Sequence, residues 1–338
     1  MAHKVACVTG ASGFLATQII FILLARSWKV RACVRTPAKA EAWRAKFPEF
    51  REDQIEFVCV PDMQVDGSYD EAVKGCEVVF HTASPFNFVF TDNEKDMLIP
   101  AKQGALTLLR AAKAEPAVKR VIFTSSFAAI TNPHLDPRPG HTYTEADWNP
   151  STWEEAVQST DRHFVYLASK TFAEKAVWNF VKDEKPTFSV TSIVPPVILG
   201  EAAQPFTSMV DINQSSRVLW RLVDAPTMPA TPAYLCVDVK DCALCHVLAA
   251  EQDASVINGK RYLTAGATFT QSKAAKVIAQ LFPDVVSRLP PAAPYEEHYK
   301  YSSALVEKDL GIEWRPFEQT VKETFTQLLD TERKSKNI

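Results

Sequence analysis

A buried strand that runs into a glycine turn and then an apolar helix constrains this chain more than any other stretch of it. Residues 4–9, Lys-Val-Ala-Cys-Val-Thr, read as a core strand. Gly10, Gly13 and Ala16 follow at a three-residue spacing, and residues 15–24 read as a helix. Such a unit suits the pyrophosphate of a dinucleotide. Gly10 allows a tight turn, and Gly13 brings no side chain between backbone and ligand. The helix behind them offers free N–H groups and the positive end of its dipole. Ala16 is small enough for helix and strand to pack closely. The chain has only 10 glycines, so composition does not explain the spacing.

Alternation continues through the first two hundred residues. Strands are expected over 5–9, 29–34, 55–60, 78–82, 120–124 and 188–194. Helices are expected over 13–26, 38–46, 69–74, 93–114 and 164–181, with a kink at Pro100. This rhythm predicts an α/β fold, a doubly wound Rossmann-like parallel sheet covered on both faces. After Gly200 prolines cluster and short helices replace the alternation. The expected organisation is a cofactor-binding domain over 1–200, with 234–250 packing back on it. A smaller C-terminal lobe over 201–330 would carry the substrate. Residues 333–338 are expected to fray.

At 338 residues the chain can bury a large core, and its net charge of -3 gives no basic field for nucleic acid. The apolar run 19–24 is too short to cross a bilayer, and a core strand from residue 4 leaves no room for a signal peptide. Seven scattered cysteines fit reduced thiols in a cytoplasmic protein. Cys242-Ala-Leu-Cys245-His246 has the spacing of a haem attachment site, but it sits in a helical pattern over 238–250. Buried thiols are the better reading, and no metal is expected.

The second strand ends Val34-Arg35-Thr36. An acidic residue there would hold the ribose 2′-OH of NAD, whereas a guanidinium suits a 2′-phosphate. Arg35, with Lys39 four residues on, therefore points to NADP(H). Tyr166 and Lys170 share one helix face, so the ammonium is expected to lower the tyrosine pKa. Tyr166 could then give a proton to a carbonyl oxygen. Ser126, in Thr124-Ser125-Ser126 at a strand end, could hold that oxygen.

These motifs resemble the extended short-chain dehydrogenase/reductases over essentially the whole chain. Within them the sequence is similar to the dihydroflavonol reductase and cinnamoyl-CoA reductase group, and especially to fungal NADPH-dependent aldehyde and ketone reductases. The matching text is Val8-Thr-Gly-Ala-Ser-Gly-Phe-Leu-Ala16, Val79-Phe-His-Thr-Ala-Ser-Pro-Phe86, Thr124-Ser-Ser126 and Tyr166-Leu-Ala-Ser-Lys170. Val237-Asp-Val-Lys-Asp241 and Leu310-Gly-Ile-Glu-Trp-Arg-Pro-Phe317 add to it.

The resemblance implies roles residue by residue. Gly10, Ala11, Ser12, Gly13, Phe14 and Leu15 would contact the pyrophosphate and ribose. Arg35 and Lys39 would take the 2′-phosphate, and Asp62 and Met63 would border the adenine. Thr82, Ala83, Ser84 and Thr124 would line the cofactor cleft, and Pro195, Val197 and Ile198 the nicotinamide. Ser126, Tyr166 and Lys170 would be catalytic, with Lys170 also on the nicotinamide ribose. Phe86, Phe127, His163 and Val197 would line the substrate pocket. The implied activity is reduction of a small aldehyde or ketone with NADPH, by a monomer or homodimer. Two alternatives stay open: a dehydrogenase or epimerase of a sugar nucleotide or sterol, and a non-catalytic dinucleotide sensor. The chain departs from the group at Val194-Pro195-Pro196, where Asn-Pro is common. It also has His163-Phe-Val-Tyr166 in place of the Trp-Tyr-Cys pattern of cinnamoyl-CoA reductases.

Overall fold

The computed structural model describes residues 4–84, 90–204 and 208–336. In chain order its strands begin with β1 (Val5–Val8), β2 (Lys29–Val34), β3 (Ile55–Cys59), β4 (Val78–His81), β5 (Arg120–Thr124) and β6 (Thr142–Tyr143). They continue with β7 (Ser189–Val194), β8 (Val197–Leu199), β9 (Leu235–Asp238), β10 (Arg261–Leu263), β11 (Ala267–Thr268) and β12 (Lys300–Tyr301). Seven of them form one parallel sheet in the order β10-β7-β5-β4-β1-β2-β3. The order turns back between β1 and β4. In an open parallel sheet, that reversal opens a ligand crevice beyond the strand ends.

Side chains alternate between the two faces, as a strand requires. Ala6 and Val8 enter a core cluster with Ile19, Ile20 and Leu23 of the Phe14–Ala25 helix and Cys242 and Val247 of the Val239–Glu251 helix. Cys7 points the other way. It joins Val79, Leu108 and Ala112 of the Ile99–Ala114 helix and Ala173 and Val177 of the Arg162–Glu184 helix. Burial of both faces explains why these strands are apolar throughout rather than alternating.

The chain beyond Gly200 builds a third cluster from Leu219, Cys236, Phe269, Ile278, Val321 and Phe325. Strands β8, β9 and β11 form a small sheet beside it. Segments of this stretch also return to the main sheet. β10 pairs with β7, Val239–Glu251 covers one face, and Val306 and Leu310 close the same cluster.

Two local expectations change. Pro100 does not simply kink a continuous α-helix. A π-turn over Glu94–Leu98 precedes it, with Ile99 N–H donating to Glu94 O, and Pro100 lies in the first turn of the regular α-helix that starts at Ile99. A residue without an N–H suits that position. The C-terminal residues also do not fray at 333, because the Phe317–Lys336 helix continues to the last described residue. Glu332 holds it in place, accepting both Arg288 Nη1 and Nη2 at 2.8 Å and Lys336 Nζ at 2.7 Å.

Candidate active site

The glycine turn and the end of β4 are built against each other. Gly10 has φ +65, and a Cβ there would stand 3.2 Å from Ala83 Cα. Thr9 ties the two together. Its Oγ1 accepts Thr82 N–H at 3.1 Å and Ala83 N–H at 3.0 Å, so its own hydrogen goes to His81 Nδ1 at 2.9 Å. His81 therefore accepts at Nδ1 and is neutral, with burial pulling its pKa down to about 3. Gly13 caps the next helix with no side chain of its own and no side-chain cap bond. Ala11 and Leu15 are buried, Ser12 and Phe14 half-buried, and Gly13 is exposed.

Arg35 and Lys39 stand at the same end of the sheet, one after β2 and the other in the Pro37–Lys46 helix. Both are exposed, and neither side chain has a hydrogen-bond or ion-pair partner among the described residues. Other arginines here are engaged; Arg31, for instance, is taken by Glu56. Two unpaired cations beside an open glycine turn suit a 2′-phosphate. After β3, Asp62 accepts Gln64 N–H at 2.8 Å, and Met63 lies against Gly104 of the Ile99–Ala114 helix.

β5 and the Arg162–Glu184 helix bring the three candidate catalytic side chains together. Ser126 caps the short 3₁₀ turn Phe127–Ala129, its Oγ accepting Ala128 N–H at 3.2 Å. Its hydroxyl hydrogen-bonds Tyr166. Lys170 Nζ donates to Thr124 O at 3.2 Å and Ser84 Oγ at 3.4 Å. Burial lowers its pKa to about 8, against the opposing pull of Glu174.

The tyrosine corrects the sequence expectation. Its pKa is pushed up to about 12, not lowered, because burial outweighs the hydrogen bond from Ser126. The Lys170 ammonium meanwhile faces Thr124 and Ser84. A phenol that keeps its proton at neutral pH is suited to donating it.

The sequence reading passed over the support beneath these groups. His246 Nδ1 donates to Cys242 O at 2.7 Å, so its Nε2 accepts the Thr124 hydroxyl at 2.8 Å. Burial pulls His246 down to about 4 and keeps it neutral. Cys242 and Cys245 are buried free thiols of the same helix. A lone polar residue on an apolar helix face was the available signal.

A family model described as the 3-beta hydroxysteroid dehydrogenase/isomerase family matches residues 7–278. The chain belongs to that family. Among 3-beta hydroxysteroid dehydrogenase/isomerase family proteins and their relatives, it is 36% identical to an uncharacterized oxidoreductase of Schizosaccharomyces pombe, over 97% of this chain and 98% of that one. It is 33% identical to the ketoreductase azaE of Aspergillus niger, over 98% of each. The crystal structure of yeast methylglyoxal/isovaleraldehyde reductase Gre2 complexed with NADPH superposes with a TM-score of 0.89 at 28% identity, covering 97% of this chain and 98% of that one. These likenesses agree with the resemblance to extended short-chain dehydrogenase/reductases.

The remaining candidates of this family member are spread around the triad. Pro195 is buried, and its carbonyl accepts Phe127 N–H at 2.8 Å. Val197 packs toward the C-terminal cluster and Ile198 toward the sheet cluster, as neighbours on one strand must. Phe127 is buried in an aromatic group with Tyr143 and Tyr299. His163 is exposed one helical turn before Tyr166. Phe86 lies outside the described residues. A concavity of about 790 Å³, lined by Lys102, Arg110, Trp153 and Phe172 among others, lies on the Ile99–Ala114 and Arg162–Glu184 helices and includes none of the triad. That groove lies apart from the hydrogen-bonded cluster of Ser126, Tyr166 and Lys170.

Proposed function

We propose that the protein is an NADPH-dependent carbonyl reductase that converts an aldehyde or ketone to the alcohol. The observation that carries this reading is the Ser126–Tyr166 hydrogen bond with Lys170 one helical turn away. The reductase activities of Gre2 and azaE support it.

The residues present fit the cofactor. Gly10 leaves room for backbone to approach backbone, the Phe14–Ala25 helix has no side-chain cap, and Arg35 and Lys39 are unpaired. Residues 10–15 would hold the pyrophosphate and ribose, Arg35 and Lys39 the 2′-phosphate, and Asp62 and Met63 the adenine. Thr82, Ala83, Ser84 and Thr124 would line the cleft, with Pro195, Val197 and Ile198 at its far end. When bound, NADPH supplies a hydride to the carbonyl carbon.

The chain's own side chains handle the oxygen and its proton. Ser126 donates a hydrogen bond to the substrate oxygen. Tyr166 gives that oxygen its proton as negative charge develops there. Loss of that proton leaves Tyr166 as a phenolate. Lys170 would hold the nicotinamide ribose, and its ammonium places a positive charge near the phenolate. Phe86, Phe127, His163 and Val197, with the lobe over 201–330, would shape the substrate pocket. No helix among the described residues is long and apolar enough to cross a membrane. Seven free cysteines support a reducing, cytoplasmic setting. The test is NADPH consumption against dicarbonyls, aliphatic and aromatic aldehydes, ketoesters and flavonoid ketones. Turnover of at least one class is expected, and none across the panel would overturn the reading.

A further inference from the structure

Glu174 lies one helical turn beyond Lys170, is fully buried, and has both carboxylate oxygens engaged. Arg261 of β10 grips it in a fork, Nε to Oε1 at 2.8 Å and Nη2 to Oε2 at 3.0 Å. Ser125 of the β5 end donates to Oε2 at 2.6 Å, and Trp178 Nε1 to Oε1 at 3.3 Å. Arg261 is fixed in turn. Its Nη1 donates to Glu145 O at 2.6 Å and Asp147 O at 2.8 Å, and its guanidinium stacks 3.7 Å from the Trp148 ring centre. One carboxylate thus joins the helix that carries Tyr166 and Lys170 to the strand end that carries Ser126.

We propose that Glu174, held by Arg261, is a positioning residue for the catalytic set. It does two separable things. Through Ser125 it fixes the spacing between the Ser126 strand end and the Tyr166 helix. Through its charge it keeps Lys170 an ammonium in a buried site. This inference rests on the reductase reading of the same residues.

The charge argument follows from what surrounds Lys170. Glu174 and Tyr166 share its helix, Ser84 and neutral His81 come from the β4 side, and Thr124 and the Phe123 ring come from β5. Among these, Glu174 is the carboxylate, one helical turn from Lys170 and paired with the Arg261 guanidinium. Burial already draws Lys170 down to about 8, and Glu174 opposes that fall. A carboxylate gripped only for stability would show neither link to the triad.

Two variants separate the two effects. Ser125→Ala removes the link to the strand and leaves the charge. It should lower kcat about tenfold with an unmoved alkaline limb, since small misplacements of reacting groups are costly. Glu174→Gln keeps the shape and removes the charge. Its Lys170 should lose its proton about one pH unit lower, and the alkaline limb of kcat/KM should move with it. The Lys170 titration is read by NMR of labelled lysine Cε in cofactor-free protein, assigned with Lys170→Arg, so it does not depend on turnover. A folded Glu174→Gln with the wild-type lysine titration overturns the charge role. If that variant does not fold, wild-type kcat in Ser125→Ala overturns the positioning role. Failure of the reductase reading looks different: the wild type itself would turn over no carbonyl.

Discussion

Gly10 and Ala83 approach so closely that any β-carbon on Gly10 would press on the Ala83 backbone at 3.2 Å. The first glycine of the turn is thus set by the end of β4 as well as by its own φ of +65. Gly10→Ala meets both the left-handed strain, about 1–2 kcal/mol, and the contact. The variant should melt several degrees lower and bind NADPH at least about tenfold more weakly, read by calorimetry. Wild-type affinity would remove this contact from the cofactor site.

Arg35 and Lys39 are exposed and unpaired, so removing them should disturb the fold little. A charge-assisted hydrogen bond to a phosphate contributes about 1.5–3 kcal/mol. Arg35→Ala should lower kcat/KM for NADPH about ten- to a hundredfold, with NADH nearly unaffected. Lys39→Ala should do the same to a smaller degree. Equal losses with both cofactors would assign these residues elsewhere.

Met63 leans into the space that Gly104 leaves. A Cβ on Gly104 would stand 2.1 Å from Met63 Cε. Met63 is flexible, so Gly104→Ala should displace it at a cost of about 1–3 kcal/mol and raise KM for NADPH. Adding Met63→Ala should recover stability without recovering KM. Denaturant curves and initial rates on the two variants check both halves.

Two buried histidines make stability depend on pH. Burial pulls His246 down from 6.5 to about 4, and His81 from 6.5 to about 3. The unfolded chain takes up these protons below its ordinary pKa, whereas the folded protein resists. Their contribution is complete above pH 6.5 and is lost as pH falls toward about 4 for His246 and about 3 for His81. Each proton adds about 1.4 kcal/mol per pH unit to the slope. His246→Gln should be shallower by one such proton between 6.5 and 4, read from urea curves. Asp241, raised to about 6 by burial, slopes the other way in both proteins and cancels in the comparison.

Much of this was legible in the sequence because it is local. The strand–turn–helix from Val5 to Ala25 shows its purpose in its spacing, and so do Arg35 at a strand end and the Tyr166–Lys170 pair. What stayed hidden depends on residues far apart in the chain. Arg261–Leu263 is only three residues long, and nothing local says that it completes the sheet beside β7. Glu174 is one charge among several on its helix in the sequence, and its partner Arg261 lies 87 positions on. The sign of the Tyr166 shift also needed the fold. Sequence places an ammonium nearby, but only packing shows that burial dominates and that Lys170 engages Thr124 and Ser84.

The most direct test is the NADPH oxidation rate of wild type and Tyr166→Phe, measured side by side with methylglyoxal and isovaleraldehyde among the substrates. NADPH binding is checked in the same samples. General acid catalysis is worth about 10²–10⁴ in rate. The expected result is carbonyl-dependent NADPH oxidation by the wild type, with kcat at least about a hundredfold lower in Tyr166→Phe and unchanged NADPH affinity. Equal kcat in the two proteins would contradict the assignment of Tyr166 as the proton donor.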